Sequence, residues 1–276
     1  MSSPWTLDTI PWSEFRADLV DPALLRVAKT AAMVEYNGGR YSEYLERVFA
    51  GDDRFIAAAK EWGVEETRHG EALARWARLA DPDFDFQASF ARFQQGYVAP
   101  LDGDVSVRGS RAGELIARCI VETGTSSFYT ALNRASQEPV LASIAHWIAA
   151  DEFRHYKLFY DTLKIYLDRE GLGRLGRLRV AAGRIGETED DELSYAYYAA
   201  NVDPGEPYDR KACSDAYICT VCRFYDEPII RRGNAMILKA VGLPANGMLV
   251  KIATRIASRV LRHKAARFER MQQAAA

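Results

Sequence analysis

Apolar positions recur at helical spacing along most of the chain, and no stretch sustains the alternation of a strand. From Leu24 to about Phe49 they fall at Leu24, Val27, Ala28, Ala31, Val34, Leu45 and Val48, which predicts a first helix. Gly51, Asp52 and Asp53 then supply a C-cap glycine and an N-cap aspartate, so a second helix is predicted over about 53–79, ended by Asp81-Pro82-Asp83. A third is predicted from near Ser110 to about Ala135. A fourth starts at Gln137-Glu138-Pro139 and runs to about Arg169, proline being well tolerated in a first turn. Between the two helix pairs, residues 81–109 carry Gly96, Pro100, Gly103 and Gly109 around one short helix near 86–95, a length that suits a crossover connection.

The flanks are less regular. Residues 1–23 carry Pro4, Pro11 and Pro22 and read as an irregular arm that packs on the body through Trp5 and Trp12. Glycines at 171, 173, 176, 183 and 186 among arginines predict a loop or a poor helix over 171–186. An acidic block (Glu187, Glu189, Asp190, Asp191, Glu192) follows. Three helical stretches are then predicted near 190–201, 208–240 and 246–270, divided by Pro204, Pro207, Gly242 and Pro244. The expectation is an all-α protein in three parts: the arm 1–23, a four-helix bundle of two hairpins over 24–169, and a C-terminal helical extension over 170–276 packed on it.

Composition narrows the class. The 276 residues are 48% hydrophobic, enough for a sizeable core, which excludes disordered and collagen-like chains. With 36 Lys+Arg against 38 Asp+Glu, the net charge of −2 argues against a nucleic-acid partner. No 18 uncharged apolar residues run together, the first residues lack the pattern of a secretory signal, and four cysteines make no disulfide framework at this length. A soluble, cytoplasmic enzyme or binding protein is expected.

The chemistry lies in repeated polar residues inside the predicted bundle. Two of the four histidines stand three residues after a glutamate, in Glu66-Thr67-Arg68-His69 and Glu152-Phe153-Arg154-His155. On a helix, positions i and i+3 share a face, so each pair offers a carboxylate and an imidazole to one point. Glu35 and Glu66 lie sixteen and fifteen residues on either side of Gly51, and Glu122 and Glu152 lie fifteen on either side of Gln137, so each hairpin brings its two carboxylates to one height. The hairpins also repeat: Glu35 and Glu122 are 87 residues apart, Glu66 and Glu152 86, His69 and His155 86. Glu43 and Glu46 compete with Glu35 on the first helix but break the matched heights. Four carboxylates cannot stay uncompensated in an apolar core, since each unpaired buried charge costs several kcal/mol. Two divalent cations would offset them, and an oxygen and imidazole donor set suits iron or manganese. The competing reading is a set of buried ion pairs with Arg68 and Arg154.

A glutamate from each of two helices with Glu-x-x-His from the other two is the ligand pattern of ferritin-like di-iron and di-manganese proteins, which this sequence resembles. Within them it is most similar to the soluble acyl-carrier-protein desaturases. Trp62-Gly-Val-Glu-Glu-Thr-Arg-His-Gly70 resembles their W-x-x-E-E-N-R-H-G, and Ala150-Asp-Glu-Phe-Arg-His155 their A-D-E-K-R-H, the likeness covering roughly residues 24–169. It implies metal ligation by Glu35, Glu66, His69, Glu122, Glu152 and His155, a pair of irons cycling between Fe2+ and Fe3+ or a manganese–iron pair, and activation of O2 to oxidise an organic substrate, an acyl chain among the candidates. It also implies that Asp151 hydrogen-bonds a ligand histidine, His69; Glu65, next to Glu66, is a candidate for a similar outer position, the alternative for both acids being a solvated face. Thr125 matches a threonine near the oxygen-binding face and Trp62 a tryptophan on an electron path, though both also fit ordinary packing. The absence of a flavin or nicotinamide fingerprint implies an external electron donor. A homodimer is a further expectation. The chain departs from the desaturases in its shorter length, in the segment between the second and third helices, and over its C-terminal hundred residues.

Other readings stay open. Iron handling as a ferroxidase, or peroxide scavenging of the rubrerythrin type, would use the same ligands. A single Cys219-Thr-Val-Cys222 pair is half of what a rubredoxin-type centre needs. The last predicted helix carries an apolar stripe and seven basic residues from Lys251 to Arg270 against Glu269 alone, a local +6. That face could dock an acyl carrier protein or an anionic membrane over 251–270, or could simply be solvated.

Overall fold

The computed structural model describes residues 5–98, 103–187 and 191–275, with side chains along the last helix described as far as Ala266. Pro4, Glu189, Asp190 and the side chains of Arg267, Phe268, Glu269 and Arg270, all part of the sequence reading, lie outside the described residues. Among those described, every regular element is a helix.

Helices α1 (Pro22–Tyr36) and α2 (Gly38–Val48) run in line and pack on α3 (Asp53–Ala80). The return between them is made by Gly51, at φ +90, and by Asp52, whose side chain accepts from the amide of Phe55 and caps α3. The second hairpin joins α5 (Arg111–Ala135) to α6 (Pro139–Glu170), which pack along their lengths, while α3 lies against α6. Glu138 caps α6 through the amides of Val140 and Leu141. Its carboxylate also accepts from the Trp76 indole at 2.7 Å and from the Arg16 amide at 3.1 Å, tying both hairpins and the arm together. The arm itself is three short 3-10 turns, and Trp5 is buried as its apolar character predicts.

Two apolar layers fill this bundle. One holds Ala28 and Ala32 of α1, Leu73 and Trp76 of α3, Leu132 of α5, and Ile144 and Ile148 of α6. The other holds Leu45, Phe55, Leu115, Ile116, Phe159 and Leu163. On α3, α5 and α6 the predicted ligands fall in the sequence between the residues of the two layers, so the polar residues form a sheet of charge between two dry cores.

The extension packs on one side of the bundle: α7 (Arg174–Gly186) and α10 (Glu227–Ala240) on α5, and α8 (Asp191–Asn201) on α1. Helix α9 (Arg210–Cys222) lies against α8, α4 (Phe86–Gly96) covers α8, and α11 (Met248–Ala275) rests on α9 and α10.

Three boundaries differ from the sequence reading. The first predicted helix breaks at Asn37 into α1 and α2, just before the glycine pair Gly38-Gly39, and Gly38 must lack a side chain: a Cβ there would stand 2.3 Å from Cβ of Glu66. Of the loop or poor helix expected over 171–186, Arg174–Gly186 is helical, with Val180 and Ala181 packed in the second apolar layer, a burial that offsets the poor propensity of its glycines. The stretch 208–240 divides at Asp226, which caps α10 from the front of an Asp-Glu-Pro signal.

Candidate metal centre

The six residues converge. Oxygen or nitrogen atoms of Glu35, Glu66, His69 and Glu152 lie within 4.8 Å of one another, as do those of Glu66, Glu122, Glu152 and His155, and all six residues are buried. Glu66 and Glu152 belong to both groups. Each quartet therefore has one private glutamate and one private histidine, and the two shared carboxylates lie between them. Glu43 and Glu46 stay outside: Glu46 pairs with Lys60 at 3.2 Å, and both line a surface hollow.

Both imidazoles are oriented alike. Nδ1 of His69 faces Glu152 at 3.2 Å and Glu35 at 3.4 Å, and Nδ1 of His155 faces Glu66 at 3.0 Å and Glu122 at 3.6 Å. Their far nitrogens reach outer carboxylates, His69 Nε2 to Asp151 at 3.1 Å and His155 Nε2 to Glu65 at 2.7 Å. Asp151 thus holds the histidine that the resemblance implies, and Glu65 holds the other. Each outer acid immediately precedes a shared glutamate and crosses to the histidine of the opposite helix. Arg154 and Arg68 lie behind them: Arg154 reaches Asp151 at 2.5 Å and Glu65 at 3.2 Å, and Arg68 reaches Asp151 at 3.3 Å. The two arginines serve the outer acids, so the inner carboxylates are not paired by them.

What remains at the centre is a shell of acceptors facing one another. Glu66 Oε1, Glu122 Oε2, Glu152 Oε1 and His155 Nδ1 are buried and make no hydrogen bond. Burial, with the charges of Glu152 and Glu35, pushes the Glu66 carboxyl well above its ordinary range, and burial with Glu152 raises Glu122 to about 8. Burial also works to raise Glu152, but the two imidazoles outweigh it and hold that carboxyl well below 4.5. For both histidines burial disfavours the imidazolium, and the surrounding carboxylates overcome it and raise them well above 6.5. Such a site accommodates positive charge, as protons on its own groups or as cations. The orphaned acceptors and the oxygen and nitrogen donors fit divalent metal ions.

Thr125 donates to Glu152 Oε2 at 2.5 Å. Trp62 is buried with its ring edge toward His155, centroids 6.4 Å apart, and its indole nitrogen makes no hydrogen bond. Two further participants escaped the sequence reading. Tyr129 donates to Glu35 Oε1 at 2.6 Å, and its position seven residues after Glu122, two turns along the same helix face, was the available signal. Trp5 donates to Asp151 at 2.9 Å, and nothing in the spacing of an irregular arm announces that.

Beside the centre lies a cavity of about 270 Å³. Glu35, Glu66 and Thr125 form its inner end, and Ala31, Val34, Trp62, Phe128 and Tyr129 its apolar sides. The extension supplies the outer wall with Leu193, Tyr217, Val221 and Tyr225, and the polar residues Arg118, Arg184, Glu187 and Glu192 complete it. His146 and His263 are exposed and remote, and none of the four cysteines forms a disulfide. No helix among the described residues is long and apolar enough to cross a membrane.

Comparison of the chain with protein-family models and with curated protein sequences finds no match.

Proposed function

We propose that this chain is a ferritin-like di-iron carboxylate protein, and that it uses dioxygen to oxidise an apolar organic substrate in a reaction of the desaturase or hydroxylase type. The observation that supports this most is that Glu66 and Glu152 belong to both ligand quartets, since a shared carboxylate pair is what two adjacent cations require. Two ferrous ions held there would supply reducing electrons and a binding position for dioxygen.

The chain's own residues do the rest. Asp151 and Glu65 hold the protons of His69 and His155 at Nε2, so each Nδ1 presents its lone pair to the centre. Thr125 and Tyr129 each hold a hydroxyl proton on a carboxylate oxygen, fixing the rotation of shared Glu152 and private Glu35. The cavity, lined mostly by apolar side chains, seats an apolar group against Glu35, Glu66 and Thr125. That apolar seat favours oxidation of an organic molecule over iron handling or peroxide scavenging, and an acyl group is one occupant it admits. An external protein supplies electrons, and a carrier protein is a candidate partner.

Anaerobic titration with ferrous ion, followed by metal analysis and by optical spectroscopy on exposure to oxygen, tests the reading. Two irons per chain and an oxygen-dependent absorption change are expected. Fewer than one metal per chain, or unchanged binding in Glu66→Ala and Glu152→Ala, would sink it.

A further inference from the structure

Helix α11 rests on α9 and α10 through one face, where Val250 and Thr254 are buried. Its outer surface is not a solvated polar face. Leu249, Ile252, Ile256 and Val260 stand along it at 44%, 46%, 59% and 49% exposure, a ridge of large aliphatic side chains about 16 Å long. Met248 extends it at the N-terminal end. The neighbouring ridge, one residue earlier at each turn, is Lys251, Arg255 and Arg259, all exposed, with Arg262 continuing it. No acidic residue occurs from Met248 to Ala266, and among the described residues lining the groove beside the basic row Glu227 is the one acid.

Helix α7 repeats the pattern nearby. It carries Arg174, Arg177 and Arg179, no acid from Gly171 to Gly186, and Leu175 at 84% exposure. The Arg177 guanidinium lies against Gly242 in the turn that leads into α11: a Cβ at Gly242 would stand 2.8 Å from Nη1.

We propose that the outer face of α11 docks on an anionic lipid surface, the aliphatic ridge entering the headgroup boundary and the arginine ridge meeting lipid phosphates. The charge decides between occupants. A second copy packed on the same ridge brings two arginine rows together, and like charges facing one another oppose association. An anionic bilayer satisfies both ridges at once: it takes the apolar side chains out of water and pairs with every basic one. The net charge of −2 for the whole chain makes this basic, aliphatic face a local feature that orients the protein on such a surface.

The test is flotation of the full chain with vesicles of phosphatidylglycerol mixed into phosphatidylcholine, against vesicles of phosphatidylcholine alone, with sedimentation velocity on the vesicle-free protein. Binding to the mixed vesicles alone, falling as salt rises, is expected. Arg255→Gln, Arg259→Gln and Arg262→Gln together lower partitioning on the order of a hundredfold, from roughly fivefold per basic side chain. Ile256→Ser with Val260→Ser lowers it by about tenfold or more at unchanged charge. All these positions are exposed, so circular dichroism and ferrous binding stay as in the parent protein. Absence of vesicle binding overturns the proposal, as does binding that the substitutions leave unchanged. A dimer that Ile256→Ser dissociates, without any flotation, assigns the ridge to a second copy instead. Retention only by an acidic protein partner assigns it to protein recognition.

Discussion

His69 donates through Nε2 to Asp151 at 3.1 Å, while Glu152, the residue after Asp151, lies 3.2 Å from Nδ1 of the same ring. One dipeptide of α6 thus determines both the tautomer and the working face of a histidine on α3. The dipeptide Glu65-Glu66 of α3 does the same for His155 of α6. Replacing the outer acid by its amide keeps the shape but removes the obligatory acceptor, so the imidazole proton is free to move to Nδ1. Asp151→Asn and Glu65→Gln are each expected to weaken metal binding roughly 10–100-fold. Competition of a chromophoric chelator for the metal measures this, and equal affinity in the amide variants would mean that the rings are set by packing alone.

Adjacent glycines give a second, sharper contrast. A Cβ on Gly38 would overlap Glu66, whereas one on Gly39 meets nothing within 4 Å. Gly38→Ala must push a shared ligand aside, and is expected to lose metal capacity and roughly 1–3 kcal/mol of stability as an overpacked site. Gly39→Ala is expected to keep both ions and to gain up to about 1 kcal/mol from better helix propensity. Metal analysis and thermal melts of the pair decide it, and a Gly38→Ala protein that binds like its neighbour would show that Gly38 is not required beside Glu66.

The pH dependence of the metal-free protein follows from the acid layer. Glu122 holds its proton up to about 8 when folded and to about 4.5 ordinarily, so the unfolded chain gives up that proton first as pH rises. Stability is therefore lost progressively between about pH 4.5 and 8. His69 and His155 act in the same direction: their folded values are raised, so what they contribute is complete below about 6.5 and lost as pH rises beyond it. Glu152 and Asp151, held low, contribute stability that disappears as pH falls below the ordinary carboxylate range. A metal-free melting temperature that declines from about pH 5 to 8, and a metal-bound one that does not, are expected. Metal uptake at neutral pH should release protons, which calorimetry in buffers of different ionisation enthalpy detects. A metal-free protein that grows more stable over this window would contradict the assignment.

How much of this was legible in the sequence depended on whether the signal was periodic. The six residues of the buried cluster were legible because two hairpins repeat the same residues at nearly the same spacing, and helix geometry turns spacing into height. Gly51 and Asp52 marked the first turn by backbone and capping chemistry that does not depend on distant contacts. The close approach at Gly38 was not legible, because it depends on where Glu66 of another helix passes. Helix α7 was half legible, as a loop or a poor helix: its local propensity is poor, and the contacts of Val180 and Ala181 with the second core favour the helix. Trp5 illustrates the limit, an arm residue whose indole reaches Asp151 across 146 positions.

The cavity can be separated from the metal ligands by one substitution. Gly124 on α5 lines it beside Thr125, and a Cβ there would meet nothing within 4 Å. Gly124→Ala adds a methyl group in open space and is expected to stabilise the helix by about 1 kcal/mol. Gly124→Phe adds an aromatic ring to the wall that also carries Val121, Phe128 and Tyr225. It is expected to bind two irons as the parent does, and to lose the binding of a small aromatic probe such as indole that the parent protein retains. Calorimetry with indole on the two metal-bound proteins measures the second property, and chelator competition the first. If Gly124→Phe binds indole as tightly as its parent, the apolar seat is elsewhere; if it loses iron while its melting temperature is kept, cavity and centre form a single unit, and Gly124 belongs to the metal site.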